Sequence, residues 1–218
     1  DLERSPQDYF EADTSAGKRI LAHGRDPNFP GWTDTAQLNL FHPQARAGIV
    51  NVLKTIAGQC DGVRCDMAML ALSDVFTRTW ADRPFRGGVS LPSKEFWSEA
   101  IEAVREAHPR FIFMAEAYWG LEGRLQELGF DFTYDKTLRD RLLHDGGDAV
   151  RAHLEADVAH QERSVRFLEN HDEDRAAGVF SPDRLRPAAL IVGTVPGMTL
   201  YHDGQLEGRR VRVPVQHR

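Results

Sequence analysis

The sequence predicts an α/β fold with a parallel sheet, and three short apolar segments support that prediction. The segments cover residues 63–66, 111–116 and 165–172, and they end in Asp66, Glu116 and Asp172. Amphipathic helical sequence lies between them, as in strand–helix–strand crossover units. Because the C-terminal ends of parallel strands form one rim, we expect the three carboxylates to converge there.

The first of these strands contains an unusual pair of charges. Period-two alternation places Arg64 and Asp66 on the same face of the strand. Charges on a mostly buried strand are costly unless they are paired, so a structural ion pair near the sheet end is one interpretation. The other is a catalytic carboxylate that a neighbouring guanidinium holds at the mouth of a site. The two later strand-end carboxylates favour the second interpretation.

The N-terminal part of the chain is expected to be less regular than the rest. Residues 1–40 are rich in Asp, Gly, Pro and aromatic residues, and we predict an irregular, loop-rich segment there. A helix is predicted to begin at Pro43 and to end at Gly58. After the first strand, residues 70–92 are predicted to form a long functional loop, and Ser93 is predicted to cap the next helix.

Strands and helices also alternate after Glu116. Helical sequence is interrupted near Gly146 and Gly147. The predicted elements are a helix at 121–128, a strand at 130–134, helical sequence at 136–160, a helix at 182–192 and a last strand at 197–201.

Composition excludes several classes of function. The 218 residues carry a net charge of −6 and contain no basic cluster, so no nucleic-acid partner is predicted. No apolar run approaches the length of a membrane span, so no membrane association is predicted. Cys60 and Cys65 are too far apart along a strand to bridge each other, and they lack the spacing of a zinc site. The sequence gives no indication of oligomeric state.

Three motifs resemble those of a known enzyme family. Gly62-Val-Arg-Cys-Asp66, Met114-Ala-Glu-Ala-Tyr-Trp119 and Phe167-Leu-Glu-Asn-His-Asp172 resemble the second, third and fourth conserved regions of the α-amylase family of retaining glycoside hydrolases (glycoside hydrolase family 13). Their order and spacing also fit. The resemblance implies a (β/α)8 TIM-barrel fold that is incomplete, because 218 residues are fewer than the roughly 250 of a whole barrel. Residues 41–218 would form about strands 4 to 8, and residues 1–40 the end of an irregular inserted domain.

The resemblance also implies roles for five residues. Asp66 would be the nucleophile, Glu116 the general acid/base, and Asp172 the carboxylate that stabilises the transition state. Arg64 would orient the nucleophile, and His171 would form a hydrogen bond with the bound sugar. The aromatic residues beside Glu116, Tyr118 and Trp119, are candidates to stack on sugar rings. Rim packing is an equal alternative for the two aromatic residues.

The implied activity is hydrolysis of, or glycosyl transfer from, an α-glucan or oligosaccharide substrate. The alternative is a catalytically silent or truncated glucan-binding fragment, because the family's first conserved region has no match in this chain. His171-Asp172 also fits the doublet of metal-dependent phosphohydrolases, but that site needs further ligands on helices. No cofactor and no metal ligand is predicted, and calcium is a candidate only for a longer parent protein.

Overall fold

The structure is a computed structural model that describes residue 3, residues 5–80 and residues 91–214. The chain divides into two compact units. The first comprises Asp1–Asp61 and Met69–Phe111, and the second comprises Gly62–Ala68 and Ile112–Arg218. No helix within the described ranges is long and apolar enough to cross a membrane.

The first unit begins with an antiparallel hairpin of β1 (Tyr9–Thr14) and β2 (Gly17–Ala22). In the turn, the Thr14 hydroxyl donates to the Gly17 carbonyl at 2.6 Å and accepts from the Ala16 N–H at 3.2 Å. Gly17 has a φ of 87°, a conformation that suits glycine. The expectation that residues 1–40 are loop-rich is therefore wrong for the hairpin, whose alternation of polar and apolar residues is weak in the sequence.

Three helices complete the described part of the first unit: α1 (Pro43–Ala57), α2 (Ser73–Trp80) and α3 (Phe96–Arg105). The predicted bounds of α1 are confirmed, with Pro43 in the first turn and Gly58 as the C-terminal cap. The buried Arg46 side chain on α1 donates from Nε to Glu99 Oε2 on α3 at 3.0 Å. This charged hydrogen bond connects the two helices.

Two predictions for the stretch between α1 and α3 need correction. The predicted loop at 70–92 contains α2, which follows a 3₁₀ turn at Ala68–Ala71, and α2 buries Val75, Phe76 and Trp80 on one face. Residues 81–90, with the Arg-Pro-Phe-Arg-Gly-Gly sequence, lie outside the described residues. Ser93 does not cap α3, because the helix begins three residues later and Glu95 occupies its N-cap position.

The second unit is built on a parallel five-stranded sheet whose strand order follows the sequence. The strands are β3 (Gly62–Cys65), β4 (Ile112–Ala115), β5 (Phe132–Tyr134), β6 (Ser164–Arg166) and β7 (Met198–Thr199). Consecutive parallel neighbours are the arrangement expected of part of a (β/α)8 barrel. The parallel pairing places every C-terminal strand end on one rim.

The described part of this unit also contains six helices: α4 (Glu122–Glu127), α5 (Lys136–His144), α6 (Gly147–Leu154), α7 (Val158–Glu162), α8 (Ala176–Val179) and α9 (Pro182–Thr194). The predicted break near Gly146 is confirmed, and a second break at residues 155–157 separates α6 from α7. Helix α8 was not predicted from the sequence.

The core of the second unit includes two apolar clusters and one charged network. The first cluster lies on α5, α6 and α9 and includes Leu138, Leu142, Val150, Ala188 and Val192. The second lies on the strands and contains Tyr134, Val165 and Phe167. The charged network consists of Asp135, His153, Gln161 and Arg166, in which the fully buried Arg166 forms an ion pair with Asp135.

Candidate active site

The site lies at the C-terminal ends of β3 and β4. The register pairs Cys65 with Ala115, so Asp66 and Glu116 follow the two strands at matching positions. Backbone hydrogen bonds continue past the strand ends, from Glu116 N to the Cys65 carbonyl and from Ala68 N to the Glu116 carbonyl, each at 3.0 Å. This extended ladder fixes the backbone that carries both carboxylates.

Arg64 connects the two carboxylates. Its Nη1 donates to Asp66 Oδ1, and its Nη2 lies 2.9 Å from Glu116 Oε1. The contact with Glu116 is an ion pair without a hydrogen bond, because Nη2 and Nε of Arg64 make none within the described residues. Burial alone would lower the pKa of Arg64, but the charges of Glu116 and Asp66 outweigh burial and raise it. The guanidinium is therefore a permanent cation between two acids.

Glu116 is buried and accepts two hydrogen bonds that fix its orientation. The Tyr118 hydroxyl donates to Oε1 at 2.7 Å, and the Met67 N–H donates to Oε2 at 2.6 Å. Met67 has a φ of 43°, a left-handed conformation that few non-glycine residues adopt, so the turn after Asp66 is strained. The pKa of Tyr118 is raised, first by burial and then by its hydrogen bond to Glu116, which keeps the hydroxyl protonated as a donor.

Asp66 is much more exposed than Glu116. Its side chain is 78% exposed, whereas that of Glu116 is 5% exposed. The face shared by Arg64 and Asp66 is the one that the strand alternation predicts. The Asp66 carboxylate is therefore open to solvent, whereas the Glu116 carboxylate is almost fully enclosed by protein.

Tyr134 is a neighbour of the site that the sequence does not reveal. The Arg64 guanidinium carbon lies 5.5 Å from the Tyr134 ring centroid, within cation–π range. Tyr134 ends β5, and only the register of three strands brings it to Arg64. A tyrosine at the end of an alternating segment is the only sequence signal for this contact.

His171 and Asp172 lie in the loop after β6, five and six residues beyond Arg166, the last residue of the strand. They pair with each other, with His171 Nε2 2.9 Å from Asp172 Oδ2, and about half of the surface of each side chain is exposed. Within the described residues, neither makes a hydrogen bond or ion pair to Arg64, Asp66 or Glu116. The neighbouring Glu173 lies within electrostatic range of Tyr118, because its charge contributes to the raised pKa of Tyr118.

Trp119 lines a cavity of about 340 Å³ beside Tyr118. It is 42% exposed and has a φ of 65°, followed by Gly120 at 72°. A left-handed conformation is costly for a large aromatic residue, so this turn holds the indole at the surface under strain. The remaining lining residues are polar: Glu122, Lys136, Thr137 and Asp140. The cavity therefore combines aromatic and polar lining residues.

The described residues do not contain a group of three or more His, Cys, Asp or Glu side chains that could hold a metal ion. The donors around Glu116 and Asp66 are cationic or neutral, and Arg64 occupies the space between the carboxylates. These residues do not fit a resident metal ion.

Comparison with known proteins identifies relatives among α-amylases. The chain is 26% identical over 189 residues to the α-amylase MalA of Haloarcula japonica, which covers 83% of this chain and 25% of MalA. Its fold is similar to that of a maltogenic α-amylase, AmyB, from Thermotoga neapolitana, with a TM-score of 0.59, 21% identity, and coverage of 98% of this chain and 45% of AmyB. A debranching enzyme of Nostoc punctiforme is similar with a TM-score of 0.65 and 15% identity over 97% of this chain and 49% of the enzyme. No family model matches the chain.

The fold is that of part of a (β/α)8 barrel, of which the described residues contain five consecutive parallel strands. Its sequence is similar to that of an α-amylase, and its fold is similar to those of α-amylases. The chain spans a quarter of MalA and less than half of each of these solved structures.

Proposed function

We propose that this chain carries the catalytic carboxylates of a retaining hydrolase or transglycosylase that acts on α-glucans. Asp66 is the nucleophile and Glu116 is the general acid/base. The observation that supports the proposal best is that one guanidinium contacts both carboxylates. Retaining glycosidases need two carboxyl groups about 5 Å apart, and a shared arginine keeps such a pair close together.

The environments of the two carboxylates suit different roles. The exposed Asp66 is open to the anomeric carbon of an incoming sugar, where it would form the glycosyl–enzyme bond. The buried Glu116 is held by Tyr118 and Met67 in a fixed orientation, as a proton donor to the leaving oxygen requires. After the leaving group departs, the same Glu116 would accept a proton from water or from a sugar hydroxyl.

The remaining predicted residues are assigned to substrate binding, except Asp172, which is the third catalytic carboxylate. Trp119 and its polar neighbours in the cavity would hold a sugar unit beside Glu116, on the side of the leaving group. From the loop after β6, His171 would contact the sugar and Asp172 would stabilise the transition state. Related enzymes include a maltogenic α-amylase and a hydrolase of cyclic α-maltosyl-(1→6)-maltose, and both names are consistent with an α-glucan substrate.

The test is hydrolysis of a chromogenic α-maltooligosaccharide by the chain after a cooperative thermal transition has been confirmed. We expect Asp66→Asn and Glu116→Gln to lower the rate by about 10³-fold or more. Asp157→Asn and Glu162→Gln are matched controls, because both side chains are exposed and belong to α7 and its N-cap. Equal rates for the wild type and both site variants would refute the proposal.

A second experiment separates the two roles. With a good leaving group, azide should restore turnover in Glu116→Ala and give an azide product with retained configuration. Azide rescue of Asp66→Ala should instead give the inverted product, because azide then replaces the nucleophile. The opposite pattern would exchange the two assignments.

The alternative function is a catalytically silent glucan-binding chain. The exposure of Asp66 favours it, because active sites normally exclude water from the reacting groups. A folded chain that binds maltooligosaccharides in calorimetry without hydrolysing them would support this alternative.

A further inference from the structure

The loop after β6 contains two buried charged residues for which the proposed chemistry has no use. Glu169 is 1% exposed and Arg175 is 5% exposed, and Arg175 Nη1 donates to Glu169 Oε1 at 2.6 Å. The other carboxylate oxygen of Glu169 accepts from the Ala176 N–H, also at 2.6 Å. The Glu169 carboxylate therefore connects the beginning of the loop with its end.

Asn170 and Glu173 fix the middle of the same loop. Asn170 Oδ1 accepts from the N–H groups of Asp172 and Glu173, each at 2.9 Å. The Glu173 carboxylate then pairs with Lys136 at 3.3 Å and with Arg139 at 3.1 Å, both on α5. The residue that follows Asp172 is thereby attached to a helix.

Arg175 also connects this loop with the loop after β7. Its Nη1 donates to the Asp203 carbonyl at 2.6 Å and lies 2.9 Å from His202 Nδ1. The two loops at this part of the rim therefore cannot move independently of each other while the Glu169–Arg175 pair is intact.

In contrast, the Asp172 side chain is held only weakly. It is 50% exposed and pairs with His171, which is itself 40% exposed. Exposed ion pairs contribute little energy, so the backbone of the loop decides where this carboxylate lies.

We propose that Glu169 and Arg175, together with Glu173 through its ion pairs to α5, are positioning residues that hold Asp172 in place for catalysis. This inference rests on the proposed function. A buried ion pair adds little net stability compared with apolar residues of similar size, because both charges lose their hydration. Its hydrogen bonds are strong and directional, however, so the pair restricts the loop to one geometry.

The test measures kcat and KM for Glu169→Gln and Arg175→Lys, each alone and combined with Asp172→Asn. We expect each single variant to lower kcat about 10- to 100-fold and to change KM little, because a displacement near 1 Å has effects of this size. In the Asp172→Asn background, the same substitutions should change kcat by less than about twofold, since no carboxylate remains to be positioned.

The possible outcomes are distinguishable. An equal loss of kcat in both backgrounds would mean that the pair acts on stability alone, and unchanged kcat in the single variants would refute positioning while leaving the proposed function intact. An inactive wild type would refute the proposed function and this inference together.

Glu169→Gln leaves Arg175 buried beside a neutral partner, and this variant could fail to fold. Glu173→Gln then provides the same test, because its side chain is 19% exposed and its loss frees only the attachment to α5. We expect a several-fold lower kcat for this variant, with the same non-additivity with Asp172→Asn. Glu162→Gln, an exposed glutamate on α7, should leave kcat unchanged. Equal kcat for Glu173→Gln and Glu162→Gln would refute the inference.

Discussion

Asp135→Asn should be among the most destabilising single changes in the second unit. Asp135 Oδ2 pairs with Arg166 and lies 2.8 Å from His153 Nε2, and Oδ1 accepts from the Leu138 N–H at 2.9 Å as the N-cap of α5. Arg166 is 1% exposed, and burial lowers its pKa to about 10, so it is still charged at neutral pH. An asparagine has one acceptor oxygen, which cannot serve both the arginine and the helix cap.

Removing one partner of a buried ion pair typically costs about 3–5 kcal/mol. With about 1–3 kcal/mol per molar urea for the denaturant dependence, the unfolding midpoint should fall by roughly 1–5 M. Urea unfolding followed by circular dichroism measures this shift. Asp157→Asn is the control, because the exposed Asp157 makes no side-chain cap hydrogen bond and should cost less than about 0.5 kcal/mol.

Adding Arg166→Met to Asp135→Asn should recover part of the loss, because no buried charge then remains unpaired. A loss below about 1 kcal/mol for Asp135→Asn, with an unchanged denaturant slope, would refute the view that Arg166 depends on this carboxylate.

Three further predictions concern other residues. Gly197→Ala should lower the free energy of unfolding, measured in urea, by about 2–5 kcal/mol, because φ is 121° and an added Cβ would lie 2.4 Å from the Ser164 carbonyl oxygen. Gly147→Ala is the control and should be neutral or stabilising. Burial, and then the charge of Arg141, lower the pKa of His153 below 6.5. The stability that neutral His153 contributes should therefore be complete above pH 6.5 and decrease as the pH falls toward its folded-state pKa. In His153→Gln, the free energy of unfolding should depend less on pH in this range. A thiol reagent should modify one cysteine of the native chain and both after denaturation, because Cys60 is exposed while burial raises the pKa of Cys65 to about 12; rapid modification of both in the native state would contradict this.

The sequence was sufficient for the order of strands and for part of the site. Apolar runs that end in acids indicated β3 and β4, and alternation along β3 correctly paired Arg64 with Asp66. The run at 165–172 indicated β6, but the prediction that Asp172 ends this strand is wrong, because β6 ends at Arg166. These features depend on residues close together in the chain, where periodicity carries the information.

Other features depend on the register between distant segments and could not be predicted. Tyr134 reaches Arg64 only through the pairing of β3, β4 and β5. Glu169 and Arg175 are charged residues in a loop, a pattern that usually indicates solvent exposure, and only the packing of the loop buries them. Ser93 was predicted as a cap because serine suits that position, but α3 begins after Glu95, whose carboxylate accepts from Ser73 N and Oγ at 2.9 Å.

Asp66 and Glu116 differ in how much their orientation depends on Arg64. Glu116 has partners other than Arg64, namely Tyr118 and the Met67 N–H, whereas Asp66 is mostly exposed and paired with Arg64. Loss of the guanidinium would therefore leave Glu116 oriented and Asp66 free to rotate. In the proposed reaction, attack by Asp66 forms the glycosyl–enzyme intermediate, so Arg64→Ala should slow formation of that intermediate more than its hydrolysis. Pre-steady-state kinetics with an activated substrate separates these two steps, and equal slowing of both would show that Arg64 serves Glu116 as much as Asp66.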